Sequence, residues 1–405
     1  MTGHRAPWRR LRLLLPALLL LVVALGALQY LRPVPRIVLV RAAPSTVTLP
    51  GRLAPLPWPQ FGEAAVAVDG VGLVGSHGGD QAEPIGSVAK VLTAVLVLKE
   101  HPLQLGATGP TVTVTAADVA TYQQDLAGGQ SVVPVAGGEV LTELQLLEAM
   151  LIPSGNNIAT LLAQWDAGSE SAFVSEMNRE AHALGLTRTT YADASGLSPG
   201  TVSDAADQTR LAEYAMANPV FAEIVAMPQV TLPVAGVTYN VNAEVTHGGI
   251  VGVKTGSTPQ AGGCFVFAYQ ATVGSRTVLV VGAVLGQGGT SVLDSALAAG
   301  GELAHALGPQ LELFPLLSPA TVVARLEPAW SAPIPVTPSQ SYTALGWPGL
   351  RLRLRVVSLR LGTSLGARQR VGAVVVQSPA GRVSLPLAGP SPVSGPSLRW
   401  RLTRL

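Results

Sequence analysis

Three short runs hold residue types that do chemistry together: Ser87-Val88-Ala89-Lys90, Ser154-Gly155-Asn156 and Lys254-Thr255-Gly256. The chain has three lysines, Lys90, Lys99 and Lys254, against 23 arginines, and two of the three fall inside these runs. Arginine stays protonated at any accessible pH, whereas a buried lysine can give up its proton and serve as a base. A serine hydroxyl is a poor nucleophile without such a base. Ser87 and Lys90 are three apart, which puts both on one side of a helix. Gly86 sets Ser87 at the start of that helix, where oriented N–H groups favour developing negative charge. Lys90 acts as the base if burial and a second cation lower its pKa, and Lys254 is the candidate for that cation. Each run alone is weak, since Ser-Gly-Asn is an ordinary turn and K-T-G can close a strand. Their order and their placement at a helix start, an inter-helix loop and a strand make coincidence rare.

Several elements must position these residues. "SVAKVLTAVLVLKE" (87–100) is apolar on nearly every face, which predicts a helix buried in the domain centre, stopped by His101-Pro102. "LTELQLLEAMLI" predicts a helix with Thr142 and Gln145 as a capping box, ended by Pro153. "SGNN" is then a loop and "IATLLAQW" opens the next helix. Further helices are expected over 171–186 and 204–217, with "YADASGLSPG" as loop between them. "GGIVGVKTG" starts a strand group that continues in a hairpin around Gly274-Ser275, and "SVLDSALAAGGELAHAL" is a closing helix. "AAVAVDGVGLVGSHG" predicts two strands around the Asp69-Gly70 turn. After Leu311, Val/Leu-rich runs such as "RLRLRVVSLRLG" and "SLRWRLTRL" alternate with Pro/Gly/Ser turns. This predicts an all-β module, with arginine at alternate positions on its solvated face.

At 405 residues and 48% hydrophobic, the chain is long enough for two domains. The formal charge is +2, and much of the positive charge sits at the two ends, so no basic footprint for nucleic acid is expected. A single cysteine, Cys264, excludes an internal disulfide and a cysteine-based metal cluster. The six histidines lack HxxxH or HxH spacing, so no metal site is expected. Arg5, Arg9, Arg10 and Arg12 precede an apolar run, Leu13 to Leu31, long enough to cross a bilayer core. The arginines stay on the cytoplasmic side, which places the rest outside. The run is long for a cleaved signal peptide, for which "ALGA" (24–27) would be the cleavage site, and an uncleaved anchor is expected. The organisation expected is therefore a basic segment 1–12, an anchor 13–31, a Pro-rich linker 32–59, a catalytic domain 60–310 and a β-rich domain 311–405.

With the three motifs in place, the chain resembles the serine-type D-alanyl-D-alanine carboxypeptidases, the low-molecular-mass penicillin-binding proteins. "SVAKVLTAVLVLKE", "AMLIPSGNNIATLLA", "YADASGLSPGTVSDAADQTRLAEYA" and "GIVGVKTGSTPQAGGCFVFA" carry the likeness, which covers about 61–310. The β module resembles that family's C-terminal domain only loosely. The resemblance implies an α/β (α+β) β-lactamase/transpeptidase-like domain, an antiparallel sheet with helices on both sides. It implies Ser87 as the acylated nucleophile and Lys90 as its base. Ser154 and Asn156 belong to a proton relay and to substrate positioning, and Lys254 supplies charge to that relay. Thr255 and Ser257 meet the substrate's terminal carboxylate beside Gly256, and the N–H groups of Ser87 and Ser257 form the oxyanion hole. Peptidoglycan stem peptides are the implied substrates and β-lactams the covalent inhibitors, with no metal or organic cofactor. Relatives usually end in an amphipathic helix on the membrane, whereas here the anchor is at the other end. Three rivals share parts of the pattern. A β-lactamase needs a carboxylate-activated water, and 160–210 has no E-x-x-L-N run. A β-lactam sensor needs a long cytoplasmic or multi-span part, and only about 12 residues precede the anchor. A DD-endopeptidase shares the whole constellation. Asp193 and Asp204 are expected to cap a loop opposite the cleft, Cys264 to be a buried thiol and His247 an exposed turn residue.

Overall fold

The computed structural model describes residues 8–78, 81–379 and 381–404; Arg5 and the rest of the expected cytoplasmic segment up to residue 7 lie outside the described residues. Helix α1 (Trp8–Leu31) contains Leu14–Leu31, long and apolar enough to cross a membrane, and none of that stretch is buried in the protein. The segment expected as a spacer then contributes two strands, β1 (Val38–Arg41) and β2 (Thr46–Thr48). The reason lies in its short β-branched runs between prolines: Ile37, Leu39 and Leu49 are all buried.

Residues 50–313 and 345–349 pack as one unit. Strands β3 (Glu63–Val68) and β4 (Gly72–His77) meet at the Asp69-Gly70 turn, where Gly70 takes a positive φ of 69°. Helix α2 (Lys90–Glu100) is buried from Lys90 to Leu98, as its all-round apolar sequence requires. Against it pack α4 (Glu143–Leu151), α5 (Asn156–Ala167), α6 (Glu170–Ala183) and α7 (Ala205–Met216), while α3 (Ala116–Ala127) lies on α5 and α8 (Pro219–Val225) on α4 and α7. Thr142 and Gln145 form the reciprocal cap of α4: each side chain bonds the other's backbone N–H, at 3.2 and 2.9 Å. Strands β5 (Ile250–Thr258), β6 (Gly262–Val273) and β7 (Arg276–Gln287) complete an antiparallel sheet of order β5-β6-β7-β3-β4. Its faces are told apart by alternate residues of β6. Cys264, Val266 and Ala268 belong to the core shared with α2, whereas Phe265 and Phe267 lie against Gly300 of α9 (Val292–Leu307). With both faces covered, every residue of β3 is buried.

The second unit is formed by 1–49, 314–344 and 350–405, so both ends of the chain enter it. Strands β8 (Ala324–Glu327), β9 (Ile334–Pro338), β10 (Arg351–Ser358), β11 (Arg370–Ser378) and β12 (Gly381–Ala388) join β1 and β2 in a seven-stranded sheet of order β1-β8-β9-β12-β11-β10-β2. The last stretch departs from the expected strand: Leu398–Thr403 is a helix, α10. Alternating leucine and arginine satisfy a period of two, but Ser397 caps the Trp400 N–H and starts a helical turn instead. Trp400 packs edge-on against Trp330, and the Arg401 guanidinium lies 5.1 Å from the centre of the Tyr30 ring on α1.

The corrected role of residues 38–49 can be measured. Leu49, 2% exposed and bonded through its N–H to Leu350, should cost on the order of 2–5 kcal/mol when cut to alanine. The expected result for Leu49→Ala is a melting temperature lowered by several degrees; a spacer residue would leave it unchanged.

Candidate active site

Ser87 lies in a 3-10 turn, Gly86–Ala89, that runs straight into α2 at Lys90. The turn is pressed against β5, and two glycines make the approach possible. Gly86 holds a φ of 54°, and a Cβ there would sit 3.2 Å from the Ser257 nitrogen. A Cβ on Gly256 would sit 2.9 Å from the Ser87 nitrogen. The backbone amides of Ser87 and Ser257 are thereby brought side by side.

Lys90 is fully buried. Its Nζ lies 2.7 Å from Ser87 Oγ, 2.6 Å from Asn156 Oδ1 and 3.1 Å from the Ser195 carbonyl. Burial pushes its pKa well below that of an ordinary lysine, and the charge of Lys254 pushes it further, against a smaller opposing pull from Asp193 and Asp125. Lys254, on β5 and 1% exposed, is lowered to about 7 by burial. Its Nζ donates to the Thr255 carbonyl at 3.1 Å.

Ser154 is 3% exposed and takes a φ of 67°, a conformation costly for a residue with a Cβ. Its Oγ is buried without a hydrogen-bond partner among the described residues. Asn156 opens α5; beyond Lys90 it reaches Gln130, whose Oε1 accepts from its Nδ2 at 3.0 Å. Asn157 bonds both the N–H and the carbonyl of Val133, each at 2.9 Å, which fixes the segment after α3 beside the site. Ser87, Ser154, Thr255, Gly256 and Ser257 line one small cleft together with Ser131. Lys90, Asn156 and Lys254 stand buried among them. All eight residues expected from the sequence belong to this neighbourhood.

A larger cavity of about 610 Å³ opens where β5 ends, lined by Glu63, Glu83, Pro259 and Gln287 among others. Burial raises Glu63 to about 7 there. It contains no nucleophile paired with a base, so the chemistry belongs to the smaller cleft.

Motif reasoning missed Gln130, Ser131 and the Ser195 carbonyl. The loop holding Ser195 is not remote from the cleft, as expected, but reaches the buried lysine beneath it, since Lys90 Nζ donates to the Ser195 carbonyl. Asp193 does cap that loop: its carboxylate accepts from Ser195 Oγ at 2.7 Å, the Leu197 N–H at 2.9 Å and Thr201 Oγ1 at 2.5 Å. Asp204 caps α7 through the Asp207 N–H. Cys264 is buried, with its thiol pushed up to about 12, and His247 is exposed. Among the described residues no group of three or more His, Cys, Asp and Glu side chains could hold a metal.

A serine bonded to a buried, depressed lysine, with two amides converging beside it, defines a serine acyl-transfer enzyme. Residues 64–286 match the model of the D-alanyl-D-alanine carboxypeptidase family, and the chain belongs to that family. It is 37% identical over 223 residues to the D-alanyl-D-alanine carboxypeptidase DacB2 of Mycobacterium tuberculosis, spanning 53% of this chain and 72% of that protein. It is 32% identical over 198 residues to a D-alanyl-D-alanine endopeptidase of Pseudomonas aeruginosa, spanning 47% and 61%. The crystal structure of a Streptomyces DD-transpeptidase superposes with a TM-score of 0.55 at 26% identity, covering 62% of this chain and 98% of that one. The D-alanyl-D-alanine carboxypeptidase DacD of Francisella tularensis, at 18% identity, shares the fold over 85% of this chain and 96% of its own, with a TM-score of 0.61.

The depressed lysines make stability depend on pH in a defined direction. Between about 7 and 10.5 the unfolded chain binds a proton at Lys254 that the folded chain lacks, so stability rises with pH across that window. Relative to Lys254→Met, the wild-type protein should gain melting temperature as pH rises from 7 to 10. Parallel curves for the two proteins would mean that Lys254 titrates normally when folded.

Proposed function

We propose that Ser87 is the acylated nucleophile of this carboxypeptidase, that Lys90 is its general base, and that α1 is retained as a membrane anchor with both packed units outside. The observation that carries the catalytic assignment is the Lys90 Nζ to Ser87 Oγ contact of 2.7 Å at zero exposure of the lysine. A neutral amine has two N–H donors and one lone pair. Asn156 Oδ1 and the Ser195 carbonyl take the two donors, which leaves the lone pair for the Ser87 hydroxyl proton.

Ser87 Oγ attacks the carbonyl of the penultimate D-Ala of a peptidoglycan stem, and its proton passes to Lys90. The oxyanion that forms is met by the adjacent N–H groups of Ser87 and Ser257. Ser154, whose hydroxyl has no partner among the described residues, relays the proton to the leaving amine with Lys254 behind it. Thr255 and Ser257 bind the terminal carboxylate at the edge of β5, where Gly256 keeps the strand close to the nucleophile. The terminal D-Ala departs and water releases the acyl-enzyme. A β-lactam, which offers a strained amide to the same serine, is trapped at the acyl stage.

A fluorescent penicillin should label the protein at Ser87 and fail to label Ser87→Ala. Lys90→Arg replaces the neutral amine with a permanently charged group that cannot accept the Ser87 proton, and should lower the second-order acylation rate by roughly 10²–10⁴. Lys99→Arg, at the exposed end of the same helix, should acylate as wild type. Wild-type acylation by a folded Lys90→Arg protein would refute the base assignment.

The anchor is supported by the unburied apolar surface of α1 and by α10 packing at its end, where Arg404 bonds the carbonyls of Pro33 and Arg32. N-terminal sequencing of the protein purified from membranes should find the helix intact; a new terminus near Leu28 would show a cleaved signal instead.

A further inference from the structure

The formal charge of +2 conceals a division. The unit formed by 1–49, 314–344 and 350–405 holds 18 arginines and one acid, Glu327, a net charge of +17. The other unit holds the remaining eight cations and 23 acids, a net charge of −15. Leaving aside Arg5, Arg9, Arg10 and Arg12, 14 arginines face a single carboxylate, and this unit has no lysine at all. The positive charge that the sequence shows at two separate ends is collected by the fold into one body.

Sheet register places four of these arginines together. Arg351, Arg353 and Arg355 alternate along β10 with buried Leu352 and Leu354, so all three stand on one exposed face. Thr46 of β2, Arg353 of β10, Gln377 of β11 and Arg382 of β12 form one rung across four adjacent strands. Strands lie about 4.8 Å apart and alternate residues about 6.8 Å apart, so the four charges occupy a patch on the order of 10 by 14 Å. Among the described residues none of the four has an ion-pair partner. Glu327 is on β8, with β9, β12 and β11 between it and β10 in the sheet order. A groove of about 450 Å³ opens on the patch, lined by Thr46, Arg351, Arg353, Gln377, Ser378 and Pro379.

Like charges this close repel, a cost that a bound anion removes. Guanidinium forks grip phosphate oxygens in pairs, a geometry that a cluster of arginines offers. A repeat of about 6.8 Å along β10 fits a ligand with successive charges, and a groove admits a chain where a flat layer of headgroups could not enter. We propose that this face of the β unit is a docking site for a linear polyol-phosphate polymer, a phosphodiester polyanion without bases, since among the described residues no aromatic side chain lines the groove to stack a base. The site lies in the β unit, uses none of the acyl-transfer residues and does not depend on their assignment.

The test uses the full chain in nonionic detergent and fluorescent poly(glycerol phosphate), with binding read by anisotropy over a series of salt concentrations. Wild type should bind with strong salt dependence. The triple variant Arg351→Gln/Arg353→Gln/Arg355→Gln should bind at least about tenfold more weakly at ~0.1 M salt, with the slope of log K against log salt reduced by about 2. Arg382→Gln alone should reduce that slope by roughly 0.7, which keeps the test decisive if the triple variant misfolds. Arg276→Gln, on the exposed hairpin of the other unit, should bind like wild type. Penicillin acylation should be unchanged in every variant. Failure of wild type to bind, or wild-type binding by the triple variant, would overturn the proposal. Equal affinity for poly-glutamate would overturn the phosphodiester chemistry. Binding to phosphatidylglycerol vesicles with no binding to the polymer would reassign the patch to a lipid surface and overturn the polymer as occupant.

Discussion

An amine deprived of water is the constraint around which the catalytic unit is organised. Lys90 sits at zero exposure, and a charge held there without compensation would cost several kcal/mol. The structure meets that cost by favouring the neutral form, through burial and through a second buried lysine, and by giving the amine three polar neighbours on three different segments. Those segments are the turn before α2, the start of α5 and the loop after α6. Each must be held in place for the amine to be satisfied. Hence Asp193 caps the Ser195 loop and Asn157 pins the chain after α3. Even Thr93, one turn along α2, bonds the Ala194 carbonyl at 2.7 Å. A structural cation would need none of this, because an arginine on the surface serves as well.

The second requirement is closeness of backbone. On the proposed mechanism Ser87 must stand next to amide donors on a strand remote in sequence, and side chains would hold the two apart. Glycines at 86 and 256 remove them on both sides of the contact. Gly196 serves the same end from a third direction: its φ is 82°, and a Cβ there would collide with the Gly86 carbonyl. Three glycines thus converge on the turn that presents Ser87, each for a steric reason.

Much of this was legible beforehand where local chemistry decides structure. The capping pair Thr142 and Gln145, the turns at Asp69-Gly70 and Gly274-Ser275, and the all-apolar α2 are written in neighbouring residues. The grouping of Ser87, Lys90, Asn156 and Lys254 was suggested there too, because a chain that otherwise avoids lysine placed two in motifs. What stayed hidden depends on distant partners. Gln130 carries no motif and matters only because the fold sets it 3.0 Å from Asn156. The Ser195 carbonyl is backbone, and any residue type would supply it. The strands at 38–41 and 46–48 are too short to stand out, and become strands because β8 and β10 offer open edges some 300 residues later. Residues 398–403 have a pattern that satisfies two periods at once, and the Ser397 cap decides between them.

Because both chain ends enter the β unit, the catalytic unit is an insertion within it, and this orders the steps of folding during synthesis. Residues 50–313 contain their own sheet and helices and can close as soon as they have emerged. Strands β1 and β2 are made first but have no partners until β8 and β10 follow, and their sheet is complete only when β12 ends at Ala388. Joining strands so far apart costs loop-closure entropy, but only logarithmically in length. The β unit is therefore the last to close, because its first two strands wait for partners made some 300 residues later.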